Sequence, residues 1–421
     1  MRWKDHPQAV LIALLVIHVL AHIDRNMLLG FSPQITGDLG LSNAQYGFLT
    51  GAVWVLSFGV MAVFTGTLSD RFSRTRVMAV GILIWSACTA ASGAARSFEQ
   101  MVLARFLVAS GEAALVPAAV SLLAEFFGAQ RRGGAVGVFF MGIPLGIGCS
   151  FLLAGTLGAS QGWRYTFFML GAIGVAVALP LSLLKDERHA QEAAERGAPF
   201  AQQMRDVWLA MRTTPAVLWT MTGFVLVHTA FAGLSFAQLW LVRERGLDAA
   251  GIARQIGALQ LVFGALGSLA GGVLGDRLAR RMKGGHAGFL VALVALCGPL
   301  MLAYRFVPAG SVLFYMGMCA GFFLPLATYG PANALIQGLM PERMRSTVTG
   351  VTMMLINVFA IAIGNLAAGA VSDRLGAAGS ANPLTTVLLA TDVLAIASAL
   401  FFAIAARGPR VQGAAAPVVA H

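Results

Sequence analysis

Twelve stretches of about twenty apolar residues, from Ala9–Phe31 through Leu384–Ala405, constrain this chain more than any other feature. A helix needs about that many residues to cross a bilayer, and short loops separate the stretches. Of the 421 residues, 58% are hydrophobic and only 11% charged, against roughly a quarter charged in soluble domains. The expected fold class is an all-α membrane protein with twelve transmembrane helices. The first stretch is long enough to span, contains Asp24 and Arg25 and lacks a small-residue cleavage site, so it is expected to stay rather than leave as a signal peptide. Cys88, Cys149, Cys297 and Cys319 fall inside apolar stretches without disulfide or metal-ligand spacing, and read as small buried hydrophobes.

The formal net charge of +11 would suggest a nucleic-acid partner in a soluble chain. Its distribution says otherwise. With the amino terminus inside, 20 Lys and Arg fall on the inner side, seven fall in outer loops, and Arg25 and Arg105 lie within helices. This asymmetry follows the positive-inside rule. It predicts a multi-pass protein of the cell inner membrane, with both termini cytoplasmic and no nucleic-acid partner.

Ions within the apolar stretches need a reason, because an unpaired charge at the bilayer centre costs roughly 3 kcal/mol or more. Span one holds His18, His22, Asp24, Arg25 and Asn26, and span four holds Arg105 and Glu112. Arg105 and Glu112 are seven residues apart, so they share a helix face about 10 Å apart along the axis, too far to pair comfortably. Span one climbs outward while span four descends. The expected pairs are therefore Arg25 with Glu112 and Asp24 with Arg105, a neutral cluster that gains a positive charge when one carboxylate takes a proton. Arginine keeps its proton at any accessible pH. Asp24 and Glu112 are thus the candidate proton-coupling residues, and Arg25, Arg105 and His22 the candidate substrate-binding charge network. A static ion-pair network fixing helix packing is the competing explanation. His18 and His22 are four apart and either relay protons or are satisfied by neighbouring carbonyls. In the second half His228 and Asp392 are further polar groups, and Asp392 has no evident partner in the sequence.

Six spans precede a polar stretch and six follow it, dividing the chain into 1–184, a cytoplasmic linker 185–214, and 215–421. In the linker Phe200, Met204, Val207, Trp208 and Met211 share one helical face suited to a membrane surface. The halves repeat each other. Gly66-Thr-Leu-Ser-Asp70-Arg71 after span two recurs 206 residues later as Gly272-Val-Leu-Gly-Asp276-Arg277 after span eight. Pro117 in span four and Pro331 in span ten each precede a short basic loop. Duplicated six-helix halves are a transporter architecture with substrate near the midplane. In this register Cys319 and Leu326 stand opposite Arg105 and Glu112, and this one-sidedness favours function over scaffolding. Asp70 and Asp276, with Arg71, Arg74, Arg131, Arg132 and Arg277, are the candidate gating residues, because an Asp there can cap a helix N-terminus and pair with arginine. A third near copy, Gly369-Ala-Val-Ser-Asp373-Arg374, falls on the outer side as loop chemistry or an outer latch.

The run Gly66-Thr-Leu-Ser-Asp70-Arg71-Phe-Ser-Arg74-Thr75-Arg76-Val77 resembles the loop motif of the major facilitator superfamily, departing from it at Thr75. That resemblance implies two pseudo-symmetric six-helix bundles. His22-Ile-Asp24-Arg25-Asn26, Trp85-Ser86, Arg105 with Gly111-Glu112-Ala113 and Pro117, and Gly162-Trp163-Arg164 are similar to the spinster branch, whose members resemble lipid-related transporters. The resemblance implies that Asp24 is the protonation site and that Arg25, Arg105 and Glu112 form its network.

There is no phosphate-binding loop, metal-ligand cluster or nucleophile motif, so the chain is expected not to be an enzyme and to need no metal or cofactor beyond a proton gradient. The expected function is a proton-coupled secondary transporter, a monomer moving an amphipathic lipid-like or organic-anion substrate by alternating access. The alternatives are a drug/proton antiporter, a sugar-acid/proton symporter and, from another class, a non-transporting membrane receptor. Phe58, Phe139, Phe140, Met141, Phe231, Phe236, Trp240, Phe322, Phe323 and Tyr329 are candidates for an apolar cavity wall, against packing as the plainer role.

Overall fold

The computed structural model describes residues 6–183, 205, 208–209, 211–341 and 344–407, with backbone alone at 62, 63, 66–71, 129, 130, 183 and 346. Twelve described helices are long and apolar enough to cross a membrane. They are α1 (Pro7–Gly30), α2 (Asn43–Met61), α3 (Arg74–Ala94), α4 (Phe98–Phe126), α5 (Arg131–Gly155), α6 (Leu157–Ser182), α7 (Pro215–Arg243), α8 (Ala249–Arg281), α9 (Gly285–Ala303), α10 (Val312–Gly338), α11 (Thr347–Ala377) and α12 (Pro383–Ala406). They coincide with the apolar stretches of the sequence. The linker positions Phe200, Met204 and Val207 lie outside the described residues.

Packing groups the chain into two compact units. The first comprises Met1–Glu192, Phe231–Ala265 and Val358–Leu389, and the second Ala193–Ala230, Leu266–Asn357 and Ala390–His421. In the first, α1 lies along α5, α3 packs on both α4 and α6, and α2 packs on α4. In the second, α9 and α7 pack on α10.

Sequence signals explain where helices start. Ser73, Ser97, Ser311 and Asp248 precede α3, α4, α10 and α8, and each side chain accepts the backbone N–H three residues on. Helix α2 opens with a reciprocal box in which Ser42 Oγ accepts from Gln45 N at 3.2 Å and Gln45 Oε1 accepts from Ser42 N at 3.0 Å.

Proline explains where the fourth span bends. Its two segments, Phe98–Glu112 and Leu115–Phe126, meet immediately after Glu112. Pro117 lacks an N–H and its ring opposes the carbonyl four residues earlier, that of Ala113. Thr65 Oγ1 donates to that freed carbonyl at 3.1 Å. The fifth span likewise breaks at Met141, three residues before Pro144, between Ala129–Phe140 and Gly142–Gly155. The Gly162-Trp163-Arg164 tag fastens one end of the first unit. Gly162 has a φ of 84°, open to glycine without strain. Trp163 Nε1 donates to Asp38 at 2.7 Å, and Arg164 donates to the carbonyls of Gly93 and Ala95 at 3.0 and 2.5 Å.

Candidate functional site

Asp24 on α1 and Arg105 on α4 are 2% and 4% exposed, so either alone would be a buried, unneutralised ion. They pair directly, as their helix directions predict. Arg105 Nη1 donates to Asp24 Oδ1 at 3.0 Å. Its Nη2 donates to the backbone carbonyls of Asp24 and Arg25 at 3.3 and 3.1 Å, so one guanidinium grips both side chain and backbone of α1. The other carboxylate oxygen, Oδ2, accepts from the Thr89 hydroxyl of α3.

Glu112, one α4 turn-pair from Arg105, is 6% exposed. Its Oε2 accepts from the Trp54 indole N–H of α2 at 2.8 Å. Its Oε1 is buried and accepts no hydrogen bond from any described residue. The Arg25 guanidinium carbon lies 3.4 Å from the centroid of the same Trp54 ring, and that ring stacks on Phe58 with centroids 4.4 Å apart and planes 18° from parallel. Arg25, Trp54, Phe58 and His22 are half-buried, whereas Asp24, Arg105 and Glu112 are enclosed. The four ions named from the sequence thus form one cluster. Two of its hubs, Trp54 and Thr89, were not singled out, because an aromatic or a threonine in an apolar span carries no signal until its neighbours are known.

The histidines of α1 face α5. His18 Nδ1 lies 2.9 Å from the Phe139 carbonyl beside the fifth-span break, and its ring stacks on Phe139. His22 sits 4.7 Å from His18, edge to face. A Cβ on Gly146 would lie 2.3 Å from that of His22, so a glycine is what lets the two helices approach here. The glycines of span five therefore serve packing at this point. Phe139, Phe236 and Trp240 are fully enclosed packing residues, not cavity wall.

Asp392 on α12 does have a partner, contrary to its apparent isolation in sequence. Arg305, counted there among outer-loop cations, is only 4% exposed and donates from Nε to Asp392 Oδ2 at 2.8 Å and from Nη2 to Oδ1 at 3.2 Å. It follows the last residue of α9 closely enough for its long side chain to reach back into the bundle. The one-sided distribution of buried ions expected from the repeat is therefore corrected: the second half has its own pair. His228 lies in the same unit, its Nδ1 2.7 Å from the Phe224 carbonyl and its ring edge-on to Tyr329.

Of the gating candidates, Asp70 and Arg71 have side chains outside the described residues. Arg74 pairs with Glu125 at the end of α4 and donates to Ser121 at 3.1 Å. Arg132 donates to the Ala124 carbonyl at 3.3 Å, and Arg131 is exposed. In the second unit Asp276 lies 3.1 Å from His286, and Arg277 is exposed. The third copy has a defined target. Asp373 accepts from the backbone N–H of Asn43 and Ala44 at 3.0 and 2.8 Å, capping the N-terminus of α2. The backbones touch: Cβ atoms on Gly47 and Gly369 would each lie 2.1 Å from a carbonyl oxygen, of Asn365 and Asn43 respectively. Arg243 adds donations to Asn43 Oδ1 and Thr36 Oγ1 at 2.9 and 2.7 Å, and the Tyr46 hydroxyl donates to the Ser235 carbonyl at 2.7 Å.

A family model described as Major Facilitator Superfamily matches residues 14–365. The chain is 28% identical over 363 residues to an MFS-type efflux pump of Mycolicibacterium smegmatis, covering 86% of this chain and 83% of that one. It is 25% identical over 372 residues to Protein spinster of Drosophila melanogaster, covering 85% of this chain but 61% of that longer one. A bacterial homolog to the human lysosomal transporter Spinster, solved in an inward-facing and unoccupied conformation, superposes with a TM-score of 0.80 at 24% identity, over 95% of this chain and 97% of that one. That likeness establishes the shared fold.

Proposed function

We propose that this chain, which belongs to the Major Facilitator Superfamily, is a proton-coupled secondary transporter of the cell inner membrane for an organic anion with an apolar part. The observation that carries the proposal is a second buried acid. Asp24 is neutralised by Arg105, and a second carboxyl, Glu112, is buried beside them with one oxygen accepting no hydrogen bond from the described residues. A carboxyl held that way can carry a proton or release it as its surroundings open and close, because burial and neighbouring arginines act on it in opposite senses.

In this scheme Asp24 and Glu112 exchange protons, Arg105 holds Asp24 against α1, and Arg25 meets the anionic group of the substrate. The half-buried Trp54 and Phe58 beside Arg25 supply an aromatic face for an apolar chain. His22, three residues before Arg25 on α1, is the remaining member of the charge network. Transport proceeds by alternating access: the Asp373 latch holds one end of the first unit, and Asp70 in the first unit and Asp276 in the second act as gates with their arginines. The driving force is the proton gradient, with no nucleotide or cofactor, and the chain acts as a monomer with both termini cytoplasmic.

The test is proton flux in liposomes holding the purified protein and an internal pH dye, while lysophospholipids, sugar acids and cationic drugs are added in turn. Flux driven by an anionic lysolipid supports the proposal. Flux with sugar acids alone makes the chain a sugar-acid symporter, flux with cationic drugs makes it a drug antiporter, and silence from folded protein favours a receptor.

A further inference from the structure

Trp54 touches both halves of the charge cluster with a single rigid side chain. Its N–H, the only hydrogen-bond donor an indole has, is committed to Glu112 Oε2 at 2.8 Å. Its π-face carries Arg25 at 3.4 Å, and Phe58 stacks on the ring at 4.4 Å. The ring cannot rotate to suit one partner without disturbing the other, because one plane fixes both the direction of the N–H and the surface on which the guanidinium lies. Cation–π attraction is strongest in desolvated surroundings, and a hydrogen bond to a carboxylate is stronger than one to the neutral acid. The N–H contact therefore depends on the charge state of Glu112, while Arg25 keeps its charge throughout.

We propose that Trp54 is a positioning residue that ties the protonation of Glu112 to the placement of Arg25. When Glu112 is ionised, the N–H bond is charge-assisted and holds the indole plane under Arg25. When Glu112 takes a proton, that bond weakens, the ring is released toward Phe58, and Arg25 loses its platform. By linkage, moving Arg25 off the ring must change the protonation of Glu112 in turn. Ser57 and Ser110, whose hydroxyl oxygens are 2.8 Å apart, with Ser57 donating to the Phe106 carbonyl at 2.5 Å, tie α2 to α4 directly below. The helices thus stay together while the indole moves. The inference deepens the proton-coupled reading and rests on it for its meaning in transport, but the tie itself is testable without any substrate.

The experiment is 19F NMR of full-length protein carrying 5-fluorotryptophan. The chain has seven tryptophans, and the Trp54→Phe variant identifies the Trp54 resonance by its loss. The expected result is a Trp54 resonance that moves with pH, stops moving in Glu112→Gln, and in Arg25→Gln moves with a midpoint displaced by about half a pH unit or more, roughly a threefold coupling. A resonance that is stationary across the titration, or that moves identically in Glu112→Gln, overturns the proposal. So does a midpoint unchanged in Arg25→Gln. A second measurement stays informative if fluorination perturbs folding. Trp54→Phe keeps an aromatic face for Arg25 but removes the donor, and should displace the pH profile of proton uptake while leaving helix content unchanged. A merely structural indole would lower the amount of folded protein without displacing the profile. If liposome transport of all tested substrates is silent while the resonance still titrates through Glu112, the transport reading fails and the tie stands.

Discussion

Two buried arginine–aspartate pairs, one in each packing unit, look alike by distance and differ in what surrounds them. Asp392 and Arg305 form a closed fork: two nitrogens meet two oxygens, and the guanidinium lies 4.2 Å from the centre of the Tyr304 ring. Asp24 and Arg105 share one such contact; Arg105 also donates to two backbone carbonyls, Asp24 accepts from a threonine hydroxyl, and the pair sits beside a second acid held by an indole. A buried ion pair alone is therefore poor evidence for function, since the same motif can simply join helices. What marks the first site is the second buried carboxyl and the half-buried arginine and aromatics beside it.

The largest expected effect breaks one pair from one side. Asp392→Ala leaves Arg305 enclosed without its counter-ion, and should lower unfolding stability by about 3–5 kcal/mol, read from denaturation in detergent. Replacing both partners separates the two sites more cleanly. Arg305→Met with Asp392→Leu should return stability to within about 1 kcal/mol of the parent and leave pH-driven transport intact, because a closed fork can be exchanged for apolar packing. Arg105→Met with Asp24→Leu should fold comparably and lose pH-driven transport. Equal transport by both double variants would erase the distinction drawn between the pairs.

Glu112→Gln tests the second acid. Its amide oxygen can still accept from Trp54, so the fold should be retained while the pH dependence of transport flattens. The smallest expected effect lies at the latch. Asp373→Ala removes one of the two caps on α2 and leaves the Ser42–Gln45 box, a loss of about 1 kcal/mol, and should raise the labelling of Ser235→Cys, a 6% exposed position, by an impermeant maleimide about fivefold. Unchanged labelling would reduce Asp373 to loop chemistry.

The spans and the Asp24–Arg105 pair were legible because both follow from short-range rules: apolar length, helix pitch and opposite helix direction. Arg305 was not. It stands two residues beyond Ala303, where sequence assigns it to a loop, so it was never set on a span whose direction could be matched to that of Asp392. Trp54 escaped for a related reason, since its N–H donor matters only once α2 is laid against α4. The Asp373 latch was half legible: the motif copy flagged it, but its target, the start of α2, is 330 residues distant and is set by glycine-permitted backbone contact.

The most direct measurement is pH-gradient-driven transport of the liposome substrate by Asp24→Asn and Asp392→Asn, reconstituted at equal folded amounts. The account predicts that Asp24→Asn abolishes the response to the gradient while retaining substrate binding, and that Asp392→Asn transports with the parent's pH dependence. Coupling preserved in Asp24→Asn, or lost equally in both, would contradict it.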